Sequence, residues 1–276
     1  MLEPKNDRSL TRRQALSAAG LAGAGVVLAP TLGLGALAAT PALADAIALT
    51  PEQEEGPFYV DLELIRRDVV DGQAGVPLHL RITILDANTG KPVENAALDI
   101  WSCDAAGVYS DEESESTVGE TYLRGVQLTD ARGTARFLTI YPGHYAGRTT
   151  HVHVKVHIGG SADAGAYSGG HVSHTGQMFF PDPLTTKLYR NAPYTESTAT
   201  RVFNAQDRVY TQQGGSKSVL KLRRLGRRLE DGFRASVTLA VDPSATPAAV
   251  GGNSSTGTTT VGASGPSGAT GTPPGA

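Results

Sequence analysis

The chain is poor in cysteine, in aromatic residues and in charge. Its 276 residues include one Cys, 6% aromatic residues and 18% charged residues. A single Cys cannot pair within the chain, so a disulfide framework is excluded. The 24 Lys and Arg residues are offset by 27 Asp and Glu residues, and this net charge of −3 gives no reason to expect a nucleic-acid partner. The 33 Gly and 16 Pro residues favour a loop-rich β protein over a helical bundle.

The first 44 residues have the pattern of an export signal. Thr11-Arg12-Arg13-Gln14 precedes an uncharged run rich in Ala, Gly and Leu, which ends with Ala42-Leu43-Ala44. This pattern is typical of signal peptides that the twin-arginine export machinery recognises. The alternative is a membrane anchor, but Pro30 and the many small residues make this a weak spanning segment. We therefore expect residues 1–44 to be a signal peptide and the protein to be extracellular, periplasmic or at the cell surface.

The other end of the chain differs sharply from its middle. Residues 243–276 contain no charged and no aromatic residue and consist almost entirely of Gly, Ser, Thr, Pro and Ala. Such a composition cannot bury enough apolar area to offset the entropy of ordering, so we expect a disordered tail. The remaining residues, 45–242, have the length of one domain.

Short alternating segments dominate this domain. Turn-forming clusters of Gly, Pro, Asp and Ser separate them, which favours strands over helices. The spacing predicts an all-β fold, an antiparallel β-sandwich with long loops and little helix. Short helical turns are expected only at 183–188 and 205–210. The candidate strands are 78–85, 98–103, 135–140, 151–158, 177–180 and 235–241.

A pair of histidines in one candidate strand points to a metal. Residues two apart on a strand point to the same side, about 7 Å apart, so His151 and His153 can direct both imidazoles at one point. Two converging imidazoles are a metal-site candidate, whereas the alternative is a solvated strand face. His157 continues the alternation but lies about 13 Å along the strand from His153, too far to share a metal with His151.

The other ligands decide which metal fits. No His is followed two residues later by Asp or Glu, and no His-Glu-x-x-His motif occurs, so a ferrous facial triad and a zinc hydrolase are disfavoured. A tyrosine phenolate is a hard, strongly donating anion that stabilises Fe(III). Tyr145, just before the His pair, and Tyr109 are candidates, although either Tyr taken alone could be a packed aromatic residue.

Several motifs occur in one order along the chain. They are Glu55-Gly56-Pro57-Phe58-Tyr59, the segment from Trp101 to Tyr109, Arg124-Gly125, Gln127, Thr129-Asp130, Gly133, Phe137, Thr139-Ile140, Pro142-Gly143, Tyr145, Arg148, His151, His153, Gln177-Met178-Phe179-Phe180-Pro181 and Gly232-Phe233. From about residue 50 to residue 242 this pattern resembles the intradiol ring-cleavage dioxygenases, which are the catechol, hydroxyquinol and protocatechuate enzymes. So many matched positions are far more specific than a lone His-x-His.

The resemblance implies one Fe(III) per chain, with two phenolates, two imidazoles and a hydroxide as ligands. The implied protein ligands are Tyr109, Tyr145, His151 and His153. Tyr145 would be the axial phenolate that leaves when substrate binds, and Tyr109 would stay bound. In that scheme the hydroxide and the Tyr145 phenolate accept the two protons of a catechol.

The resemblance also implies the reaction. A catechol-type ring is cleaved by O2 between its two hydroxyl-bearing carbons to give a cis,cis-muconate-type diacid, a step in aromatic compound catabolism. Tyr145, Arg148 and Gln177 correspond to catalytic positions. Arg148 would stabilise negative charge electrostatically. The residues that correspond to the substrate pocket are Gly56, Pro57, Phe58, Tyr59 and Arg148.

A second function remains open at this point. The strand and turn pattern also fits a non-catalytic, transthyretin-like β-sandwich that serves binding or adhesion, although that pattern predicts none of the four ligand positions. The sequence leaves open which catechol is cleaved and whether the chain forms a homo-oligomer. Cys103 is expected to be buried and inert, and His171 and His174 are expected in an exposed Gly/Ser-rich loop.

Overall fold

The computed structural model describes residues 47–251. The predicted signal peptide, residues 1–44, and residues 252–276 of the predicted tail lie outside this range. The described residues form ten strands and two α-helices. No helix among them is long and apolar enough to span a bilayer. The elements are β1 (Pro77–Asp86), β2 (Ala97–Trp101), β3 (Arg124–Leu128), β4 (Thr134–Ile140), β5 (His151–Ile158), β6 (Ser161–Asp163), β7 (Ala166–Ser168), β8 (His171–Phe179), α1 (Asp182–Leu188), α2 (Arg208–Gln212), β9 (Lys221–Arg224) and β10 (Phe233–Val241).

The strands form two sheets of four and one small hairpin. Sheet I has the order β4-β1-β10-β9, sheet II has the order β3-β2-β5-β8, and β6 pairs with β7. The predicted all-β sandwich with little helix is confirmed. Most neighbouring strands are antiparallel, but β1 and β10 pair in parallel, from Leu78 with Phe233 to Asp86 with Val241. This pairing joins the first and the last long strand of the described range, with most of the fold in between.

The core lies between the two sheets. Leu78, Leu80, Ile82 and Ile84 alternate along β1 and are all at most 1% exposed. They belong to one apolar cluster with Val152, Val154 and Val156 of β5. Burial of each such side chain contributes about 1.5–3 kcal/mol relative to exposure. The apolar side chains that alternate along the sequence therefore hold the two sheets together.

The outer faces of the two sheets differ. The outward residues of β1 are exposed from Pro77 to Arg81 and half-buried beyond, as in a sheet with one solvated face. In contrast, β5 is buried on both faces, and the outward His151 and His153 are 2% and 1% exposed. An N-terminal segment covers this face, because Gln53 donates a backbone hydrogen bond to the Thr175 carbonyl at 2.9 Å. Sheet II therefore carries an enclosed polar layer outside the main core.

Four strands and one loop assignment differ from the sequence prediction. The six predicted strands are present, but β3, β6, β7 and β9 were not predicted. Strand β8 begins at His171, so the prediction that His171 and His174 lie in an exposed loop is wrong. The segment pairs with β5 around a bulge at Val156/His157, and this long-range pairing overrides the local Gly and Ser signals. His174 is 1% exposed, and its Nδ1 lies 2.5 Å from a Glu52 carboxylate oxygen.

Candidate active site

A row of four buried side chains crosses the outer face of sheet II. The strand register pairs Arg124 with Trp101, Trp101 with His153, and His153 with Gln177. All four are at most 2% exposed. The Trp101 indole stacks on the His153 imidazole with centroids 4.6 Å apart and planes 7° apart. The stacked indole therefore fixes the orientation of the His153 imidazole from one side.

The two histidines converge as their spacing predicts. The Nε2 atoms of His151 and His153 are 3.0 Å apart. The Nδ1 of His151 donates to the Thr149 carbonyl at 2.6 Å, which leaves the Nε2 lone pair directed at the shared point. Burial lowers the pKa of His151 to about 3, and burial also lowers the pKa of His153 well below its ordinary value. Both imidazoles are therefore neutral, the form that binds metals.

Two tyrosines on separate loops reach the same point. The Tyr145 hydroxyl lies 3.3 Å from the His151 Nε2. The Tyr109 ring lies 5.5 Å from the Tyr145 ring between centroids, and its buried hydroxyl makes no hydrogen bond with the rest of the described chain. A fully buried, unpartnered hydroxyl is costly, which indicates that another group satisfies it in the working protein.

Close backbone contact between the two loops brings these tyrosines together. The Gly143 amide donates to the Asp104 carbonyl at 2.8 Å. A Cβ on Gly143 would lie 2.4 Å from the Ala105 carbonyl oxygen, and one on Gly107 would lie 2.2 Å from the His144 carbonyl oxygen. Gly107 also has φ +99°, a conformation that L side chains rarely adopt. The site therefore requires glycine at both contacts.

The donor set fits a hard, highly charged cation. Burial raises the pKa of Tyr145 to about 12 and raises the pKa of Tyr109 well above its ordinary value, so without a cation both phenols stay protonated. A bound trivalent metal reverses this effect, because its charge favours the phenolates. Within residues 47–251 no three His, Cys, Asp or Glu side chains form a metal site, so a cation here depends on the phenolic oxygens. Two phenolates and two neutral imidazoles fit the Fe(III) that the sequence predicts.

Arg148 extends from the Tyr145 loop into a network of polar groups. Its Nε donates to Asp207 Oδ2 at 2.8 Å. One Nη donates to Gln177 Oε1, and the other lies 3.5 Å from the Tyr145 hydroxyl oxygen. A Glu54 carboxylate oxygen lies 3.9 Å away. Asp207 is fully buried. Burial alone would raise the pKa of Asp207, but the hydrogen bond and charge of Arg148 hold it below its ordinary value. The guanidinium is thus held in one orientation beside the phenol.

A cleft of about 420 Å³ opens onto this group. Phe58 lies inside it, stacked on Tyr109 with centroids 4.4 Å apart. Gly56 lies behind it, since a Cβ there would be 3.4 Å from the His153 ring. Tyr59, which was predicted to bind substrate, does not line the cleft. The residues that do are Glu54, Pro57, Phe58, Gly107, Tyr109, Glu115, Tyr145, Ala146 and Arg148.

Tyr59 follows a turn at Pro57–Phe58 and packs outside the cleft. Its ring packs on Trp101 at 4.8 Å between centroids, and the Lys155 ammonium lies 3.3 Å above it. Tyr59 therefore supports Trp101 from outside the cleft and acts on the site only through that indole.

Sequence reasoning missed four residues that position the site. Asp207 caps α2, where its Oδ1 accepts from the Tyr210 amide at 3.0 Å, and it is 59 residues away from Arg148. The Thr149 carbonyl accepts a hydrogen bond from His151, and the Trp101 ring stacks on His153. A Glu54 carboxylate oxygen lies 3.9 Å from Arg148. An Asp before a helix is a cap signal, but nothing local shows which distant Arg it holds. Only the Trp101 segment gave any signal, as part of the family motif.

Comparison with known proteins identifies relatives of this chain. The Dioxygenase_C model of a dioxygenase family matches residues 54–201, which is more than half of the chain. The protocatechuate 3,4-dioxygenase beta chain of Burkholderia cepacia is 34% identical over 147 residues, 48% of this chain and 56% of that protein. The catechol 1,2-dioxygenase of Acinetobacter baylyi is 35% identical over 101 residues, 35% of this chain and 32% of that protein. The chain thus spans about half the length, or less, of these curated relatives.

A solved structure gives the widest coverage among these comparisons. The intradiol ring-cleavage dioxygenase from Tetranychus urticae is 30% identical, with a TM-score of 0.64, and the match covers 73% of this chain and 98% of that one. The match therefore extends over nearly the whole of that protein. From its match to the family model and to this structure, the chain belongs to the intradiol ring-cleavage dioxygenase family.

Proposed function

We propose that this protein is a non-haem Fe(III) dioxygenase that cleaves a catechol-type ring between its two hydroxyl-bearing carbons. The reaction consumes O2 and gives a cis,cis-muconate-type diacid. The convergence of two neutral imidazoles and two buried phenols beside a held guanidinium supports this proposal most strongly. The alternative, a transthyretin-like binding or adhesion module, accounts for the two sheets but for none of these donors.

The four donors have distinct roles in this proposal. The residues that would hold the iron are His151, His153, Tyr109 and Tyr145. When bound, the iron would supply a Lewis acid that activates a chelated catechol ring towards O2. Tyr109 is 2% exposed and stays in place. Tyr145 is half-buried at the cleft wall, where its phenolate oxygen can accept a proton from a catechol hydroxyl. The carbonyl of Thr149 keeps the His151 tautomer correct throughout.

Arg148 stabilises negative charge on the bound substrate. Its guanidinium is already oriented by Asp207 and Gln177, so little reorganisation is needed when charge develops. Gln177 is itself fixed, because its side-chain amide donates to the Glu54 carbonyl at 2.9 Å. Phe58 and Pro57 exclude water from one side of the cleft, which strengthens these electrostatic interactions.

The charges of the cleft favour a substrate without an acidic ring substituent. Among the described residues that line it, Arg148 is the one cation, and Glu54 and Glu115 are carboxylates. Arg148 is already paired with Asp207 and lies close to Glu54. Glu54 is also paired with Arg208, so a ring carboxylate would meet the Glu115 carboxylate, which has no ion-pair partner within the described residues, and no available cation. Neutral or positively substituted catechols fit this cleft better.

The visible absorption spectrum of the protein, purified in air, tests the iron site. Tyrosinate bound to Fe(III) gives a broad charge-transfer band, which Tyr109→Phe should weaken or shift. Tyr59→Phe is the matched control, because Tyr59 is half-buried close by and lies outside the cleft. A protein that stays colourless after reconstitution with iron, or a band that both variants leave unchanged, would contradict the proposal.

We propose also that the protein is exported by the twin-arginine route. The support is the sequence pattern of residues 1–44, which lie outside the described range. Fractionation of cells that express the chain, with Arg12→Lys/Arg13→Lys as the comparison, tests this. We expect export of the parent chain and retention of the variant, and equal retention of both would contradict the proposal.

A further inference from the structure

The exposed face of sheet I carries a dense cluster of cations. A groove of about 520 Å³ crosses this face, and no Asp or Glu is among the residues that line it. All of its Arg and Lys side chains belong to exposed residues. We define the cationic face as the six of them, Arg67, Arg81, Arg136, Lys221, Arg223 and Arg234. A chain with a net charge of −3 thus has one strongly positive surface.

The described chain leaves most of this charge uncompensated. Arg136 pairs with Asp130 at 3.1 Å, but within residues 47–251 the other five cations have no carboxylate within 4.0 Å. The strand register places Arg81 opposite Arg136 and Arg234 opposite Arg223. Like charges in directly opposite positions destabilise a sheet. The fold therefore carries a repulsion that a bound anion would relieve.

The rest of the chain does not supply that anion. Residues 252–276 contain no acidic residue, and residues 1–46 contain more Lys and Arg than Asp and Glu. An anion that compensates this face would therefore come from another molecule, and six neighbouring cations fit a polyanion.

The arrangement of the charges points to the kind of polyanion. Neighbouring strands are about 4.8 Å apart, so paired cations on them are spaced by roughly one sugar residue of a linear polysaccharide. Arg, which supplies five of the six cations, forms bidentate hydrogen bonds with carboxylates. The exposed large apolar residues of the described chain are Leu49, Val118, Phe203 and Leu225, and none lines the groove. The face thus lacks apolar side chains that insert into a bilayer, and the one exposed ring among its lining residues is the His79 imidazole.

We propose that the cationic face binds a linear polysaccharide with a carboxylate on each sugar residue. The substrate cleft lies outside sheet II, and the cationic face lies outside sheet I. A bound polymer therefore leaves the cleft open, and the enzyme remains active while it is held on an anionic matrix. This proposal is independent of the ring-cleavage activity.

Binding of the full-length protein to polygalacturonate tests the proposal. The fully methyl-esterified polymer is the control ligand, because it has the same backbone without the charge. We expect binding to polygalacturonate alone, and its loss between about 0.01 M and about 1 M ionic strength, where screening shortens the range of the interaction. Double-stranded DNA and vesicles that contain phosphatidylserine are compared at equal anion concentration.

A pair of charge-matched variants locates the binding surface. Arg81→Gln/Arg234→Gln should weaken binding about tenfold, since each exposed ion pair contributes up to roughly a factor of five. Lys187→Gln/Arg190→Gln removes two exposed cations at α1, outside the cationic face, and should leave binding unchanged. The first variant should also raise the melting temperature of the free protein, because it removes like-charge repulsion. No binding at low salt, equal effects of the two variants, or tighter binding to DNA or vesicles would overturn the proposal.

Discussion

The two sheets of this sandwich share one core but have opposite outer faces. Sheet II buries its outward row of Arg124, Trp101, His153 and Gln177. Two polar atoms of this row, Trp101 Nε1 and His153 Nδ1, have no hydrogen-bond partner within the described residues. The other polar groups of the row are hydrogen-bonded or face the candidate metal site. Sheet I leaves its outward cations in solvent, mostly without partners. A charge in the first environment is oriented and therefore suited to catalysis, whereas charges in the second environment suit reversible, salt-dependent binding.

The largest expected difference between the two faces is the effect of removing one histidine from each. His153→Ala should abolish iron binding and lower kcat/KM by about 1000-fold or more, equivalent to about 4 kcal/mol of barrier. His79→Ala, on the exposed face of sheet I, should change neither. Iron content and the rate of catechol cleavage measure both effects. Retention of iron by His153→Ala would contradict the assigned ligand set.

The next largest effect concerns a residue that positions Arg148. Asp207→Asn keeps a side-chain oxygen for the helix cap but removes the charge that holds the guanidinium, so kcat should fall about 10–100-fold, as for other supporting partners of a site. The iron content and the charge-transfer band should not change. Asp130→Asn is the control, because it removes the carboxylate that pairs with exposed Arg136 on sheet I. An unchanged kcat in Asp207→Asn would show that Arg148 needs no such partner.

A glycine pair tests whether loop contact assembles the tyrosines. Gly107→Ala should cost about 1–3 kcal/mol of unfolding free energy and weaken the tyrosinate band, since it combines strain with a clash at the His144 carbonyl. Gly119→Ala also has a positive φ, but nothing lies within 4 Å of its Cβ. It should cost less and leave the band unchanged. Urea denaturation and the visible spectrum measure the two effects. Equal spectra of Gly107→Ala and Gly119→Ala would contradict the idea that contact between the loops assembles the tyrosines.

The smallest expected effect is on substrate charge. The kcat/KM for catechol should exceed that for 3,4-dihydroxybenzoate, and Glu115→Gln should narrow this ratio by about threefold, since exposed charges interact weakly. Glu230→Gln, an exposed acid beyond the end of β9, should leave the ratio unchanged. A preference for the carboxylated ring would contradict the charge assignment of the cleft.

Local patterns predicted the strands of the core and failed where long-range pairing decides. The alternation of 78–85 and 151–158 appears in the structure as β1 and β5, because each buries one face against the other sheet. Strand β3 was not predicted, since Arg124-Gly125 has weak strand propensity and the strand forms by pairing with β2 and with the distant segment around Ile65. His171 and His174 were assigned to a loop for the same reason, because their strand exists through its partner β5.

The candidate site divides in the same way. The types and spacing of Tyr109, Tyr145, His151 and His153 are visible in the sequence, and their convergence follows from two loops and one strand. The direction of Tyr59 was not predictable, since it depends on the packing of Trp101 and Lys155. The partner of Arg148 was not predictable either, because Asp207 lies on a different element.

The sequence alone therefore determined the class of fold, the family and the chemistry of the donors, because residue type and short-range spacing carry that information. The tertiary structure decided which charges are paired and which remain in solvent. It placed Arg148 between Asp207 and Gln177 and left Arg81, opposite Arg136, exposed and without a carboxylate of its own within the described residues. The physical reason is that strand register and loop contact bring together residues far apart in the chain, and a net charge of −3 averages over such local differences.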